Sequence, residues 1–236
     1  MPAQLVLLPS ALQPAPARHR FAPAWIEALG HTQALVVETL KASRRFVRAL
    51  DPAFDIDGRT WLAPGPEGRL DMAAVRALWA QGLTVGLLSD AGYPAVGDPG
   101  AEVVLAAHQA GVPVRVLPGS CSFLMALAAS GLGGQHFAFR GYVPIAQAER
   151  QQTLKRWEQE SRRQGQTQIC MDTPYRNGAL WQALLATLEP QTLLCLALDL
   201  EGSQERIQTQ TVATWRKQPA LAWPRLPAVF IFVANK

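Results

Sequence analysis

The stretch Ser89-Asp90-Ala91-Gly92-Tyr93-Pro94-Ala95-Val96-Gly97-Asp98-Pro99-Gly100 concentrates residue types that bring backbone against a ligand. Its glycines let N–H and C=O groups approach closely, and its prolines fix the path of the chain. Asp90 offers an acceptor for an amine or hydroxyl; the alternative is a rigid connection in which Asp90 and Asp98 only cap turns. No Gly-Lys-Ser/Thr follows, so this is not a phosphate-cradling P-loop, and no G-x-G-x-x-G opens a helix. A second loop, Leu117-Pro118-Gly119-Ser120-Cys121-Ser122, sets short hydroxyls before a helix start, where free N–H groups suit a carboxylate or another polar group. A plain N-cap by Ser120 or Ser122 would use the same residues. No G-x-S-x-G elbow surrounds Ser120 or Cys121, which argues against covalent catalysis.

The elements around these loops place both of them at strand ends. The first loop lies between an apolar strand, Leu83–Leu88, and a helix, Ala101–Ala110. The second lies between a strand, Val112–Leu117, and a small-residue helix, Ser120–Ser130. Upstream, Leu5–Leu8 and Ala34–Glu38 read as strands, while Phe21–Leu29, Lys41–Leu50 and Asp71–Gln81 read as helices. The last of these has Asp71 as its N-cap and Gly82 as its stop. Asp51–Gly68, rich in Asp, Pro and Gly, reads as loop. Strands alternating with single helices imply parallel crossovers with helices on both faces of the sheet. Loops at the carboxyl ends of such strands are where α/β proteins bind ligands.

Beyond Pro118-Gly119 the pattern changes. Phe137–Tyr142, Thr167–Met171, Thr192–Asp199 and Val229–Val233 read as strands. Gln147–Arg163 reads as a long polar helix, and Ala179–Leu188 as a helix capped from Asn177. Strands arrive here more often without a crossover helix, which predicts a mixed sheet. The expectation is two α/β domains, residues 1–117 and 118–236, the first mostly parallel and the second mixed, with a ligand cleft between them.

The chain has 236 residues, 49% of them hydrophobic and 17% charged, enough apolar material for packed cores. Its apolar runs are far shorter than the roughly 18–20 residues of a membrane span, and none resembles a signal core. The three cysteines, Cys121, Cys170 and Cys195, have no CxxC spacing, so a reduced cytoplasmic protein without a zinc site or disulfide framework is expected. The net charge of +4 permits anionic partners without requiring them. Basic residues cluster in Lys41, Arg44, Arg45 and Arg48, and again in Lys155, Arg156, Arg162 and Arg163, where Glu158 and Glu160 dilute the second stripe. Each stripe reads either as a solvated helix face or as a track for a phosphate backbone. Trp157, Trp181 and Phe139 fall at apolar spacing and read as core.

Taken in order, these segments resemble the tetrapyrrole methylase family of S-adenosylmethionine-dependent methyltransferases. The resemblance rests on Ser89–Pro94 with Asp98-Pro99-Gly100, then Leu117–Ser120, Ser130-Gly131-Leu132, Phe139–Pro144 and Asp172–Asn177. It covers most of the chain from about Glu38 onward and is nearest the branch of bacterial small-subunit rRNA ribose 2′-O-methyltransferases. It implies two α/β domains, bound S-adenosylmethionine and a homodimer. Carried across by position, the cofactor-lining residues are Asp90, Ala91, Gly92, Ala95, Cys121, Ser122, Met171 and Asp199. For a ribose hydroxyl acceptor a nearby general base would help. Asp172 is the first candidate, Tyr175 and Glu38 the next; Asp172 as a simple cap of the Thr173-Pro174 turn is the alternative. Arg176 on the same turn is either a phosphate contact or an ordinary ion-pair partner.

The chain also departs from that branch. Pro9-Ser10-Ala11-Leu12-Gln13-Pro14-Ala15-Pro16 stands where the branch has a Gly-Asn-Leu-Gly turn, and Glu38-Thr39-Leu40-Lys41 replaces its acid-Thr-Arg segment. The implied activity is RNA ribose methylation. The alternatives are methylation of a small molecule such as a tetrapyrrole, or a cofactor-binding module without catalysis.

Overall fold

The computed structural model describes residues 2–13, 21–219 and 223–235. Pro14, Ala15 and Pro16 of the altered first turn lie outside the described residues. The chain forms two compact units, Met1–Cys121 and Ser122–Lys236. The division falls after Cys121, a few residues beyond the 117/118 boundary expected from the sequence.

Unit 1 is built on β1 (Gln4–Leu7), β2 (Ala34–Val37), β3 (Thr60–Leu62), β4 (Thr84–Leu88) and β5 (Val114–Val116). Their order in the sheet is β3-β2-β4-β1-β5, and every pairing is parallel. Strands β2 and β4 are buried along their whole length, as continuous apolar runs require when both faces are covered. Alternation along β1 shows the two faces directly. Leu5 and Leu7 join a core with α3 (Met72–Ala80) and α4 (Ala101–Gln109); Val6 and Leu8 join another with α1 (Pro23–Gly30) and α2 (Leu40–Leu50). Each fully buried Leu or Val in these layers contributes about 1.5–3 kcal/mol.

Crossover handedness explains which helix lies on which face. From β1 the chain steps to β2 and then β3 in one direction along the sheet, then reverses to β4 and β5. Right-handed crossovers therefore send α1 and α2 to one face and α3 and α4 to the other. Connections leaving β1 and β2 go one way and the connection leaving β4 goes the other, so β4 is flanked by the gaps where the strand order reverses. Such gaps at the carboxyl edge are the ligand-binding crevices of open parallel sheets.

Asp71 caps α3 as expected, accepting from the amides of Ala73 (2.9 Å) and Ala74 (3.0 Å). The expectation that Asp51–Gly68 is loop throughout was wrong at Thr60–Leu62. These residues form the edge strand β3 by pairing with β2, a tertiary contact invisible in their own composition.

Unit 2 carries β6 (Phe137–Tyr142), β7 (Thr167–Met171), β8 (Leu193–Leu198), β9 (Arg206–Thr211) and β10 (Ala228–Val233), in the order β6-β7-β10-β8-β9. Only β6 and β7 pair in parallel; the other pairs are antiparallel, so the sheet is mixed. One face is covered by α6 (Gln147–Gln164), α7 (Asn177–Thr187) and α8 (Val212–Trp215), whose Leu154, Trp157, Leu180, Trp181, Val212 and Trp215 share one core with Cys170, Leu196 and Phe230. The helix α5 (Ser122–Ser130) packs against β8, β9 and β10. Trp157 and Trp181 are buried, and half-buried Phe139 stacks on Phe123 with ring centroids 4.2 Å apart.

Two details differ from the sequence reading. Asn177 does not cap α7: its side chain is buried and its Nδ2 donates to the Leu226 carbonyl (3.0 Å). Glu158 and Glu160 do not dilute the exposed stripe of α6, because both turn inward. Glu158 accepts from the Glu189 amide and the Thr192 hydroxyl, and Glu160 pairs with Arg140.

Candidate functional site

Three strand ends converge at the carboxyl edge of unit 1. After β1, Ser10 forms an antiparallel bridge with Gly92 of the loop after β4: its amide donates to the Gly92 carbonyl (2.7 Å), and the Gly92 amide donates back (3.2 Å). The Ser10 hydroxyl also donates to the Ser89 carbonyl (2.7 Å). Gly92 has φ +73, a conformation that costs a residue with a Cβ about 1–2 kcal/mol. From β5, the Pro118-Gly119 turn lies so close to Pro9 that a Cβ on Gly119 would overlap the proline ring. Tyr93 fastens the same loops, its hydroxyl donating to the Leu117 carbonyl (2.7 Å). Each of these residues has a local reason to be where it is, and together they hold Asp90, Ala91 and Gly92 in one fixed arc.

The end of β2 completes the edge. Glu38 Oε2 accepts from the Asp90 amide (3.0 Å), so the acid after β2 clamps the loop after β4. Asp98 comes back on the same loop, and three carboxylates, Glu38, Asp90 and Asp98, gather at one crevice. Burial first, then the charges of Glu38 and Asp90, push the Asp98 carboxyl up to about 6, against a hydrogen bond with Ser89 that lowers it. A carboxyl held in this way gains from a cation placed beside it. Between β2 and β4 a small cavity of about 20 Å³ is lined by Val37, Glu38, Leu88, Pro99, Gly100 and Glu102. Ala95 adopts φ +66, and its amide donates to the Pro99 carbonyl (3.1 Å), which folds the loop back on itself. Cys121 is buried at the end of the unit.

In unit 2, β7 and β8 run the same way on either side of β10, so their carboxyl ends share an edge. Met171 pairs with Val229 and Leu198 with Ala228, two strand spacings apart, about 10 Å. Met171, Asp172 and Asp199 are thereby brought together. Asp199 has φ +51 and turns its carboxylate into its own hairpin, where Oδ2 accepts from the Gln204 amide (2.9 Å). Asp172 is 4% exposed; Oδ1 accepts from the Thr173 amide (2.8 Å) and pairs with Arg176, four residues on. Its other oxygen, Oδ2, is buried with no hydrogen-bond partner among the described residues, as are Thr173 Oγ1, Arg176 Nε and Asn177 Oδ1 nearby in the chain. Buried polar atoms left open at one place are uncommon and point to a group that is to be received there. Tyr175 projects into solvent at 73% exposure. Ser122 opens α5.

The thiols of Cys170 and Cys195 take no part. Burial pushes Cys170 up to about 12, with the charge of Asp172 adding to it, and burial also raises Cys195. Both stay protonated at neutral pH and are not nucleophiles.

A family model described as tetrapyrrole (corrin/porphyrin) methylases matches residues 22–213. The chain belongs to this family. Among curated relatives, the ribosomal RNA small subunit methyltransferase I of Vibrio cholerae is 37% identical over 137 residues, 57% of this chain and 46% of the relative. The protein of the same name from Escherichia coli O157:H7 is 32% identical over 143 residues, 61% of this chain and 47% of the relative. The chain thus aligns with less than half the length of these relatives. Among solved structures, the uroporphyrin-III-C-methyltransferase of Thermus thermophilus is 18% identical with a TM-score of 0.53, covering 98% of this chain and 92% of the other. A conserved hypothetical protein of Aeropyrum pernix K1 is 16% identical with a TM-score of 0.66, covering 100% and 86%. At these identities the structures establish the fold of this tetrapyrrole methylase family member and nothing finer.

Sequence reasoning found the loop but not the raised carboxyl of Asp98, for which it offered only the alternative of a turn cap. The signal that would have found it is spatial: only the strand order brings Glu38 beside the loop after β4.

Proposed function

We propose that this member of the tetrapyrrole methylase family transfers a methyl group from S-adenosylmethionine to a ribose 2′-hydroxyl of RNA. The observation that carries this reading is the crevice at the carboxyl edge of β2 and β4. There Glu38, Asp90 and Asp98 supply negative charge, and the fixed backbone of Asp90–Gly92 supplies hydrogen-bonding groups. A ligand that carries a cationic sulfonium and an amine suits that set of carboxylates, so the residues present fit the charged part of the cofactor. The substrate class follows the curated relatives, which are named as small-subunit rRNA methyltransferases.

Bound, S-adenosylmethionine supplies an electrophilic methyl on sulfur; the protein's own residues have to position the acceptor and manage one proton. Asp90, Ala91, Gly92 and Ala95 would hold the cofactor through backbone, with Cys121 beside them in the same unit. Asp199 braces its hairpin in support. Asp172 is the base that accepts the hydroxyl proton, at Oδ2, the buried oxygen left open. Alignment of acceptor and donor contributes on the order of several kcal/mol of the barrier reduction.

The test is transfer of a tritiated methyl group from the labelled cofactor to ribosomal subunits, total RNA and a metabolite extract. Label recovered at a ribose 2′-oxygen supports the reading, and label only in a small molecule overturns the RNA acceptor. Asp172→Asn is expected to lower the transfer rate by about 100-fold or more, with cofactor affinity retained.

A further inference from the structure

The helix α2 has a charge pattern that its own stability does not account for. Its sequence Leu40–Leu50 contains four cations and no acid, and Lys41, Arg44, Arg45 and Arg48 are all exposed. At 3.6 residues per turn they fall within an arc of about 100°. Ser43, Val47 and Leu50 form the buried face on the opposite side. Cations in the first turns of a helix oppose its dipole, and acid is the stabilising choice there. This helix has a lysine in its first turn, no acid, and an N-cap, Thr39, whose side chain makes no capping bond. Among the described residues none of the four cations has an ion-pair partner. One is held in place from the other side: the Arg44 guanidinium lies 5.4 Å from the Trp61 ring centroid, and Trp61 Nε1 donates to the Ile56 carbonyl (2.8 Å).

Position gives a second reason. The helix starts two residues after Glu38, the acid that clamps the Asp90 amide, so its basic first turns stand at the mouth of the crevice. The other basic face, on α6, is differently placed. Its stripe has Lys155 and Arg156 at the middle and Arg162 and Arg163 in the last turn of a helix that runs from the end of β6 towards the start of β7, and so towards the edge opposite Met171 and Asp172.

We propose that the exposed face of α2 docks the phosphodiester backbone of the RNA substrate, with Lys41, Arg44, Arg45 and Arg48 contacting successive phosphates. The proposal rests on the RNA reading above. Lys41 to Arg48 spans about 10 Å of helix, the length of a few nucleotides of one strand. The contacts are to backbone, so they position the RNA without reading its sequence.

The experiment compares the wild-type chain with the fourfold variant Lys41→Gln, Arg44→Gln, Arg45→Gln, Arg48→Gln. The probe is a labelled single-stranded RNA of mixed sequence, titrated from about 50 to about 200 mM salt. The expected result is at least a tenfold loss of affinity at the lower salt, with the salt slope reduced by about 0.7 for each phosphate no longer engaged. Cofactor affinity by calorimetry and the urea midpoint should not move, which separates lost docking from lost folding. The matching variant of α6 (Lys155, Arg156, Arg162 and Arg163 to Gln) should change the slope less. Unchanged affinity and slope in the α2 variant, in a protein that methylates RNA, overturns this inference alone. Wild-type protein that binds no RNA and methylates only a small molecule overturns the functional reading and this inference with it. Binding to vesicles of anionic phospholipid through the same four residues, with no RNA binding, overturns it in favour of a membrane surface.

Discussion

Replacing Asp98 by Asn should make the protein more stable and a worse cation binder at the same time. In the folded chain the carboxyl is held at about 6 instead of 3.8, chiefly by burial, with Glu38 and Asp90 adding to it. Between about pH 4 and 6 the folded state therefore binds a proton that the unfolded state releases. Stability falls as pH rises through that window and is level on either side. The full difference corresponds to about 3 kcal/mol, and screening by solvent at this partly buried side chain reduces it to about 1 kcal/mol. Asn keeps the shape and can still accept from Ser89, but cannot ionise. Asp98→Asn should then exceed wild type by about 1 kcal/mol above pH 6 and match it below about pH 4. Urea midpoints over this range measure the difference, and hydrogen exchange at the β4 amides Val85–Leu88 reports unit 1 apart from unit 2. A gain that does not change with pH, or no gain at all, refutes the claim that the cost of ionising Asp98 is stored in the fold.

The same titration predicts that affinity for S-adenosylmethionine, measured by calorimetry, drops as pH falls from about 7.5 to about 5, because protonated Asp98 no longer attracts a cation; a flat profile contradicts this. Arg176→Ala leaves the fully buried Asp172 side chain without its counter-charge and should cost about 3 kcal/mol in urea unfolding of unit 2, part of it recovered by adding Asp172→Asn. Gly119→Ala puts a methyl into Pro9 and should destabilise unit 1 by about 1–3 kcal/mol; a second change, Pro9→Gly, opens the space and should restore part of the loss.

What the sequence made legible was the part encoded locally. Apolar runs marked β1, β2, β4, β8 and β10, and Gly and Pro marked many of the loops around them. The two strands it did not reveal, β3 and β9, each lie at one edge of their sheet. Thr60-Trp61-Leu62 is three residues long inside a turn-rich stretch, and Arg206–Thr211 alternates mostly polar residues; each becomes a strand only because a neighbour offers its backbone. The candidate site followed the same division. Asp90 and Gly92 could be read from their loop, while the clamp from Glu38, the raised carboxyl of Asp98 and the inward turn of Glu158 and Glu160 depend on residues distant in sequence. The misassigned cap at Asn177 shows the reverse risk, a residue suited to a helix start but used to tie down Leu226.

The close approach of Gly119 to Pro9 has an evolutionary corollary. Two loops that share one van der Waals gap cannot drift independently: any descendant that gains a side chain at position 119 must first lose the proline ring opposite, or move the turn after β1. Positions 9 and 119 should therefore change together or not at all. A bulky, stiff residue is tolerated on one loop only while its counterpart on the other stays bare.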